Sequence, residues 1–277
     1  MNGKTMGLHG VRGCRFRAAL LALVAALGLL LAGSGVASAA VCRVTAGGSA
    51  GNDGSSWALA TTLEAALATS SCSEIWVAEG VYTPGTDPAD SFTIASGMAV
   101  YGGFAGNETS RSARDAAAHL TILSGDIDDN DTKTNGITET STDIQSSNAH
   151  HVVILNGNAS AIGADTVLDG FTITGGDDSG DSDGGGGLWC QASGSASAHC
   201  SPALSHLAML GNKAQYGGAM KLDGFNGASS SPILRNVIAW GDSASTGAEI
   251  SNVSATPSID HSVVQGGCPA GTVPAPT

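Results

Sequence analysis

The sequence contains few charged, aromatic and basic residues. Charged side chains make up 13 % of the 277 residues, and aromatic side chains make up 4 %. This composition excludes a coiled coil or a charged disordered tail, because both require abundant charge. Only 11 residues are Lys or Arg, against 24 Asp or Glu, so the formal net charge is −13. Nucleic acid is therefore not expected as a partner, since neutralising its phosphates requires clustered basic side chains.

Glycine, in contrast, is abundant, with 40 residues. These glycines follow no three-residue period, which excludes collagen. No Gly-x-Ser-x-Gly motif and no phosphate-binding loop is present. The glycine pairs are instead typical of turns that require a positive φ.

The first 40 residues have the pattern of a secretory signal peptide. Four basic residues precede an apolar run over residues 18–32, and small residues then lead to Ala39 and Ala40. This order predicts export, with cleavage after Ala39 or Ala40. A membrane anchor is the alternative interpretation, but an anchor needs about 20 apolar residues. No other apolar stretch approaches that length, so no transmembrane span is predicted in the mature chain.

Removal of this segment would leave 7 basic and 24 acidic side chains, a net charge of −17. A surface of this charge repels nucleic acid and polyanionic glycans unless divalent cations bridge them. We therefore expect an acidic protein that is secreted or held at the cell surface.

Five cysteines remain after residue 40, and export would permit them to form disulfides. Proximity favours Cys42–Cys72 and Cys190–Cys200, although five cysteines allow other pairings. Cys268 is left over. It is either a free thiol or the partner of a cysteine beyond Thr277.

Four segments of the sequence align without gaps. Each opens with an aliphatic residue, alternates apolar residues and closes on Gly, and the segments are residues 168–175, 204–211, 234–241 and 259–266. The third position of the aligned segments is occupied by Gly170, His206, Asn236 and His261. Gly and Asn are typical turn residues, so we interpret the two histidines at this position as turn residues. Such repeats predict short strands that pair in parallel between successive repeats, about 4.8 Å apart.

A second strand follows two of these repeats, over residues 217–222 and 246–250, with an earlier counterpart at residues 186–189. Each repeat therefore contains at least two strands. The uneven spacing indicates loop insertions, the largest over residues 177–187. The predicted fold is all-β, a parallel β-helix.

The upstream sequence is compatible with the same architecture. Strands are predicted over residues 74–82, 98–104, 121–125 and 151–155. One helix is also predicted, because Thr61 and Glu64 form a capping box, and Leu63, Ala66 and Leu67 form an apolar face. We expect this helix to cover the open end of the solenoid. The predicted organisation is a signal peptide (1–40), a cap region (41–73) and β-helix coils (74–277).

Several of these segments resemble bacterial secreted proteins of the pectate-lyase-like superfamily, which are right-handed single-stranded parallel β-helices. The segments 51–57, 74–82, 100–104 and 121–126 are most similar to the choice-of-anchor Q group. The element at residues 217–220 is similar to the repeat of chlamydial polymorphic outer membrane proteins. The resemblance implies a secreted or cell-surface solenoid, often with a C-terminal anchoring signal. No such signal is present here, which, with Cys268, predicts a chain truncated at its C-terminus.

Two short motifs are candidates for a catalytic role. Asp260 and His261 resemble the Ile-Asp-His segment of pectate lyases, but they also form part of the fourth repeat. The paired arginine motif that would supply the base of a lyase is absent. Asp177 and Asp178 resemble the paired aspartates of polygalacturonases, which act as acid and base. The partner segments of those enzymes are also absent, and the run from Asp177 is interpreted as a solvated loop.

One acidic cluster has the oxygen ligands that calcium prefers. The cluster contains Asp126, Asp128, Asp129, Asn130 and Asp131, of which Asp126, Asp128 and Asn130 alternate in the sequence. The candidate ligands are Asp126, Asp128, Asn130 and Asp131. Asp131 replaces the Gly of an EF-hand loop, and Ile137 stands where its bidentate Glu should be. The cluster fits either a weak calcium site or an acidic turn, and we favour the turn.

The sequence thus predicts an adhesin-like protein that binds an extracellular polysaccharide or another cell-surface macromolecule and lacks a complete catalytic set. The alternative is a calcium-assisted polysaccharide lyase or glycoside hydrolase of the pectin-active type. The only cofactor that the sequence suggests is calcium.

Overall fold

The computed structural model describes residues 40–180 and 183–273, in which β-strands predominate. The single α-helix in this part of the chain is α1 (Leu63–Ala68), and two short 3-10 helices cover Trp57–Leu59 and Arg111–Ala113. The predicted signal peptide lies outside the described residues, except for Ala40. None of the helices in the described ranges is both long and apolar enough to cross a bilayer.

Eighteen strands are present in the described ranges. In chain order they are β1 (Val41–Val44), β2 (Glu74–Ala78), β3 (Gly80–Tyr82), β4 (Phe92–Thr93), β5 (Ala99–Phe104), β6 (Thr121–Ser124), β7 (Val153–Asn156), β8 (Val167–Thr174), β9 (Asp177–Asp178), β10 (Leu188–Gln191), β11 (Ala203–Leu210), β12 (Lys213–Tyr216), β13 (Met220–Asp223), β14 (Ile233–Trp240), β15 (Ser243–Thr246), β16 (Ile250–Val253), β17 (Ser258–Asp260) and β18 (Val263–Val264).

These strands form three sheets, and every pairing between them is parallel. The largest sheet has ten strands, with the main order β1-β2-β5-β8-β11-β14-β17. A second sheet has the order β16-β13-β10-β7-β4, and a third has the order β15-β12-β9. The prediction of an all-β chain with parallel strand pairing is therefore confirmed.

Three consecutive segments pass through all three sheets in the same order. The first contains β8, β9 and β10, the second β11, β12 and β13, and the third β14, β15 and β16. We call each segment a unit. Each unit contributes one short strand to the three-stranded sheet, and the sequence did not indicate this strand. Asp177 and Asp178 form this strand in the first unit, so the prediction of a solvated loop at these two residues is wrong.

The strand register reproduces the sequence alignment of the four repeats. Leu168, Leu204, Leu234 and Ile259, which open the aligned segments, lie opposite one another in the largest sheet. Their aliphatic side chains stack in the core, where the first three are buried and the fourth is partly buried. The repeats therefore align because each contributes one rung to the same core ladder.

The shared turn position of the repeats adopts a left-handed backbone. The φ angles there are 87° at Gly170, 50° at His206, 54° at Asn236 and 48° at His261. This region is costly for most side chains, and Asn and His tolerate it better than most. His206 and His261 therefore have the left-handed backbone expected of turn residues, but His206 lies within β11 and not in a turn between strands. The sheet bends at this row, since β8, β11 and β14 continue beyond it.

The predicted helix is present, but its N-cap is one residue later than expected. The Thr62 Oγ1 accepts a hydrogen bond from the backbone N–H of Ala65, at 3.3 Å. Thr61 is buried instead and bridges to Val44. The buried face of α1 contacts β1 and β4, which are the terminal strands of two sheets. This is the position expected of a cap over the first layer of the core.

The structure contains both disulfides favoured by proximity. Cys42 and Cys72 are joined with their Cα atoms 5.5 Å apart, and Cys190 and Cys200 with theirs 5.7 Å apart. Cys268 is an exposed free thiol. Two disulfides are typical of proteins that fold in an oxidising compartment, so they fit an extracellular protein.

Candidate functional site

An open groove lies on the outer face of the five-stranded sheet. Its volume is about 380 Å³, within the range of roughly 300–1,000 Å³ that is typical of ligand sites. It is lined by Asp183, Trp189, Gln191, Ser193, Tyr216, Lys221, Asp223, Phe225 and Val253. Three of these nine residues are aromatic, although aromatic residues make up only 4 % of the sequence. The groove therefore concentrates a scarce residue type.

The floor of the groove follows from the alternation of side chains along a strand. Leu188 and Met220 lie opposite each other and point into the core, where both are fully buried. Trp189 and Lys221 are the next pair in the register and therefore point to the outer face. Two residues further along each strand, Gln191 and Asp223 are on the same outer face. The side walls come from turns, with Tyr216 at the end of β12 and Phe225 just after β13.

The charged groups on the floor are tightly connected. Lys221 Nζ lies 5.7 Å from the centre of the Trp189 ring and 5.5 Å from that of the Tyr216 ring. It also lies 3.5 Å from Asp223 Oδ2 and donates a hydrogen bond to the backbone carbonyl of Asp183. Trp189 Nε1 donates to the same Asp223 oxygen, at 2.8 Å. An ammonium group is thus held between two aromatic rings, a carboxylate and a carbonyl.

A buried histidine supports the Trp189 ring from behind. The centres of the His151 and Trp189 rings are 5.0 Å apart, and His151 Nδ1 lies 3.1 Å from the carbonyl oxygen of Gly185. Burial lowers the pKa of His151, against the opposing effect of the nearby Asp178 carboxylate. The lowered pKa favours the neutral imidazole, and Nδ1 is the donor because its partner is a carbonyl oxygen. The imidazole positions the tryptophan and does not add charge to the groove.

The four residues considered as catalytic do not share one site. Asp177 and Asp178 lie in β9 of the three-stranded sheet, whereas Asp260 is the last residue of β17 in the largest sheet. Three steps of the stack, or about 14 Å along its axis, separate the strands. His261 Nδ1 pairs with Asp260, at 2.8 Å, and the Asp177 carboxylate lies 3.4 Å from Lys213 Nζ.

In the acidic cluster, a lysine provides positive charge beside the carboxylates. Lys133 Nζ lies 2.5 Å from Asp126 Oδ2 and also bonds to Asp129. The other Asp126 oxygen accepts the backbone N–H of Asn130, at 3.0 Å. The Asp126 carboxylate therefore organises this turn.

The remaining acidic members of the cluster point to different neighbours. Asp131 Oδ1 accepts the backbone N–H of Gln145, and its Oδ2 accepts bonds from Thr138 and Asn148. Asp128 accepts a bond from the Asn130 side chain, at 2.8 Å. Among residues 40–180 and 183–273, no three His, Cys, Asp or Glu side chains are placed to hold one metal ion. A calcium site here stays a prediction.

Two carboxyl groups, those of Asp242 and Glu249, are buried in the third unit, and neither lines the groove or belongs to the acidic cluster. Asp242 and Glu249 have exposed fractions of 7 % and 3 %. Asp242 Oδ1 accepts bonds from the backbone and side-chain nitrogens of Asn212, at 2.7 and 2.8 Å. Asp242 Oδ2 and Glu249 Oε2 accept no bond from an N–H or hydroxyl group of the described residues, and the two carboxyl groups lie within hydrogen-bonding range of each other. Burial raises the pKa of both carboxyl groups, so the pair retains a proton at a pH where exposed carboxyl groups have lost theirs.

Sequence reasoning did not identify the groove. The sequence held only part of the signal. The register of the structure places Trp189 beside Lys221, whereas aligning the glycine pairs of the two predicted strands would place Trp189 beside Met220. The walls were not predictable in this way, since they depend on turns that approach each other only when the units stack. Comparisons with protein-family models, curated proteins and solved structures found no match to this chain.

Proposed function

We propose that this chain is a secreted, adhesin-like β-helix protein that binds an extracellular glycan in the groove. The observation that carries the proposal is the set of three aromatic rings, Trp189, Tyr216 and Phe225, around polar groups in one open groove. The C–H face of a sugar ring packs on an aromatic ring, while its hydroxyl groups bond to nearby polar side chains. Gln191 and Ser193 provide neutral polar groups for this purpose.

The proposed architecture is a right-handed parallel β-helix, as the resemblance to the pectate-lyase-like superfamily implies. Three units with the same strand order and parallel pairing support it. Parallel strands joined by a crossover are right-handed in about 98 % of cases. Secretion is supported by the pattern of the first 40 residues and by the two disulfides.

A binding protein is proposed in preference to the pectin-active lyase or hydrolase. A glycosidase needs two carboxyl groups on either side of one bond, within about 10 Å of each other. Asp177 and Asp178 lie on a different sheet from Asp260, and Asp223 in the groove is engaged by Trp189 and Lys221. The proposal therefore assigns the groove to recognition.

Phe225→Ala tests the proposal, with Trp240→Ala as its matched control. Both side chains are 51 % exposed, but Trp240 lies on the largest sheet, away from the groove. The assay is retardation in native gels that contain plant, algal or bacterial polysaccharides, together with analysis for released oligosaccharides. We expect one polysaccharide to retard the protein, and Phe225→Ala to weaken this binding about tenfold. Trp240→Ala should bind normally.

Equal loss of binding in both variants, or no retardation by any polysaccharide, would contradict the proposal. Release of unsaturated oligosaccharides or of reducing ends would support the enzymatic alternative.

A further inference from the structure

The groove holds a cation of its own, which indicates what kind of sugar it would recognise. Lys221 has a side chain only 12 % exposed, placed between the Trp189 and Tyr216 rings and beside the Asp223 carboxylate. Aromatic faces and carboxylates attract ammonium groups and do not attract carboxylate groups. The local environment is therefore one that stabilises an amine.

The charge balance of the groove leaves one negative charge for a ligand. Asp223 offsets Lys221, at 3.5 Å. The second carboxylate, Asp183, is exposed and has no ion-pair partner among residues 40–180 and 183–273. Phe225, which also lines the groove, has a half-exposed ring. A ligand in the groove therefore meets an unneutralised carboxylate and an aromatic face.

The charge of the whole protein acts in the same direction. The chain after residue 40 carries a net charge of −17, which raises the local concentration of cations and lowers that of anions. A uronic-acid polymer is negatively charged, so the net negative charge of the protein and the Asp183 carboxylate would both repel it. A polymer of amino sugars with free amines is positively charged, so the net charge and Asp183 would both attract it.

We propose that the groove selects glycans with free amino groups over neutral and acidic glycans, a choice that rests on the glycan-binding function proposed above. The ammonium group of such a sugar pairs with the Asp183 carboxylate. The ring of the sugar packs on Phe225 and Tyr216, while Lys221 stays on the floor.

The test uses three hexasaccharides of equal length. These are β-1,4-linked glucosamine, its fully N-acetylated form, and galacturonate. Binding to the purified protein is measured by titration calorimetry at low and at moderate salt. We expect the glucosamine hexamer to bind about tenfold more tightly than the acetylated hexamer, with the galacturonate hexamer weakest. The preference should shrink as salt is added.

Asp183→Asn and Asp165→Asn separate a local effect from a general one. Both remove one exposed carboxylate, but only Asp183 lines the groove. Asp183→Asn should weaken binding of the glucosamine hexamer about three- to fivefold and leave the acetylated hexamer unchanged. Asp165→Asn should change neither.

Equal weakening by the two variants would overturn the assignment to the groove. Equal or tighter binding of the neutral or acidic hexamer would overturn the selectivity and leave glycan binding intact. If no hexamer and no polysaccharide binds, the glycan-binding function itself fails.

Discussion

Replacing Asp242 by Asn removes one of the two buried carboxyl groups in the third unit. Asn keeps an oxygen for the two bonds from Asn212 and places an amide group where Asp242 Oδ2 has no donor. That amide can donate to the carboxylate of Glu249, which already interacts with the Asp242 side chain in the wild-type protein. Leaving a buried polar group unsatisfied costs about 1–3 kcal/mol. We therefore expect Asp242→Asn to stabilise the folded protein by about this amount when the pair would otherwise be ionised.

The effect should depend on pH. The pKa of both carboxyl groups is raised in the folded state, so the folded chain binds more protons than the unfolded chain above about pH 4. The stability of the wild-type pair is fully present below that pH and is lost as the pH rises through the folded pKa. The advantage of Asp242→Asn should consequently be large at about pH 8 and small at about pH 4.

Thermal melting followed by circular dichroism measures this difference. For a domain of this size, 1 kcal/mol corresponds to about 2–4 °C in Tm, so we expect a gain of about 2–12 °C at about pH 8. Asp165→Asn removes the same charge from an exposed position and should change Tm by much less. An equal gain at both pH values, or no gain at about pH 8, would refute the argument.

Two further predictions concern the turns. Gly211→Ala should lower the midpoint of urea unfolding more than Gly266→Ala. Both glycines have a positive φ, but only a Cβ at Gly211 would collide with a neighbour, since it would lie 2.1 Å from the backbone oxygen of Thr138. Equal midpoints for the two variants would contradict this. Lys133 already pairs with Asp126, so millimolar calcium should change the wild-type Tm by less than about 1 °C. In Lys133→Met, whose side chain is uncharged, the same calcium concentration should raise Tm. A calcium-dependent rise in the wild type would contradict this prediction and show that the metal displaces the lysine.

The core of this protein could be predicted from the sequence because each core position must meet two requirements, one from burial and one from stacking. Leu168, Leu204 and Leu234 must be apolar to be buried and must recur in register to stack. The turn glycines, such as Gly175 and Gly241, recur because a positive φ is required there. Both constraints leave a repeating pattern, which simple alignment detects.

The third strand of each unit and the buried carboxylates could not be predicted in the same way. The third strands are short and polar, as in Asp177–Asp178, and carry no hydrophobic alternation. Glu249 occupies a buried position, yet its residue type normally indicates an exposed one. In each case the burial of the residue depends on the neighbouring units that stack against it. The residues next to it in the sequence do not reveal these contacts.

One long connection beside the regular stack contributes to the groove. Residues 179–187 join β9 to β10 in the first unit, whereas residues 217–219 are enough to join β12 to β13 in the second. The longer connection supplies Asp183 to one wall, while β10 and β13 keep the register of the core beneath it. Because the core ladder tolerates a change in this connection, its length and charge could alter the ligand without altering the fold. Selectivity for an amine should therefore depend on this connection more than on the strands.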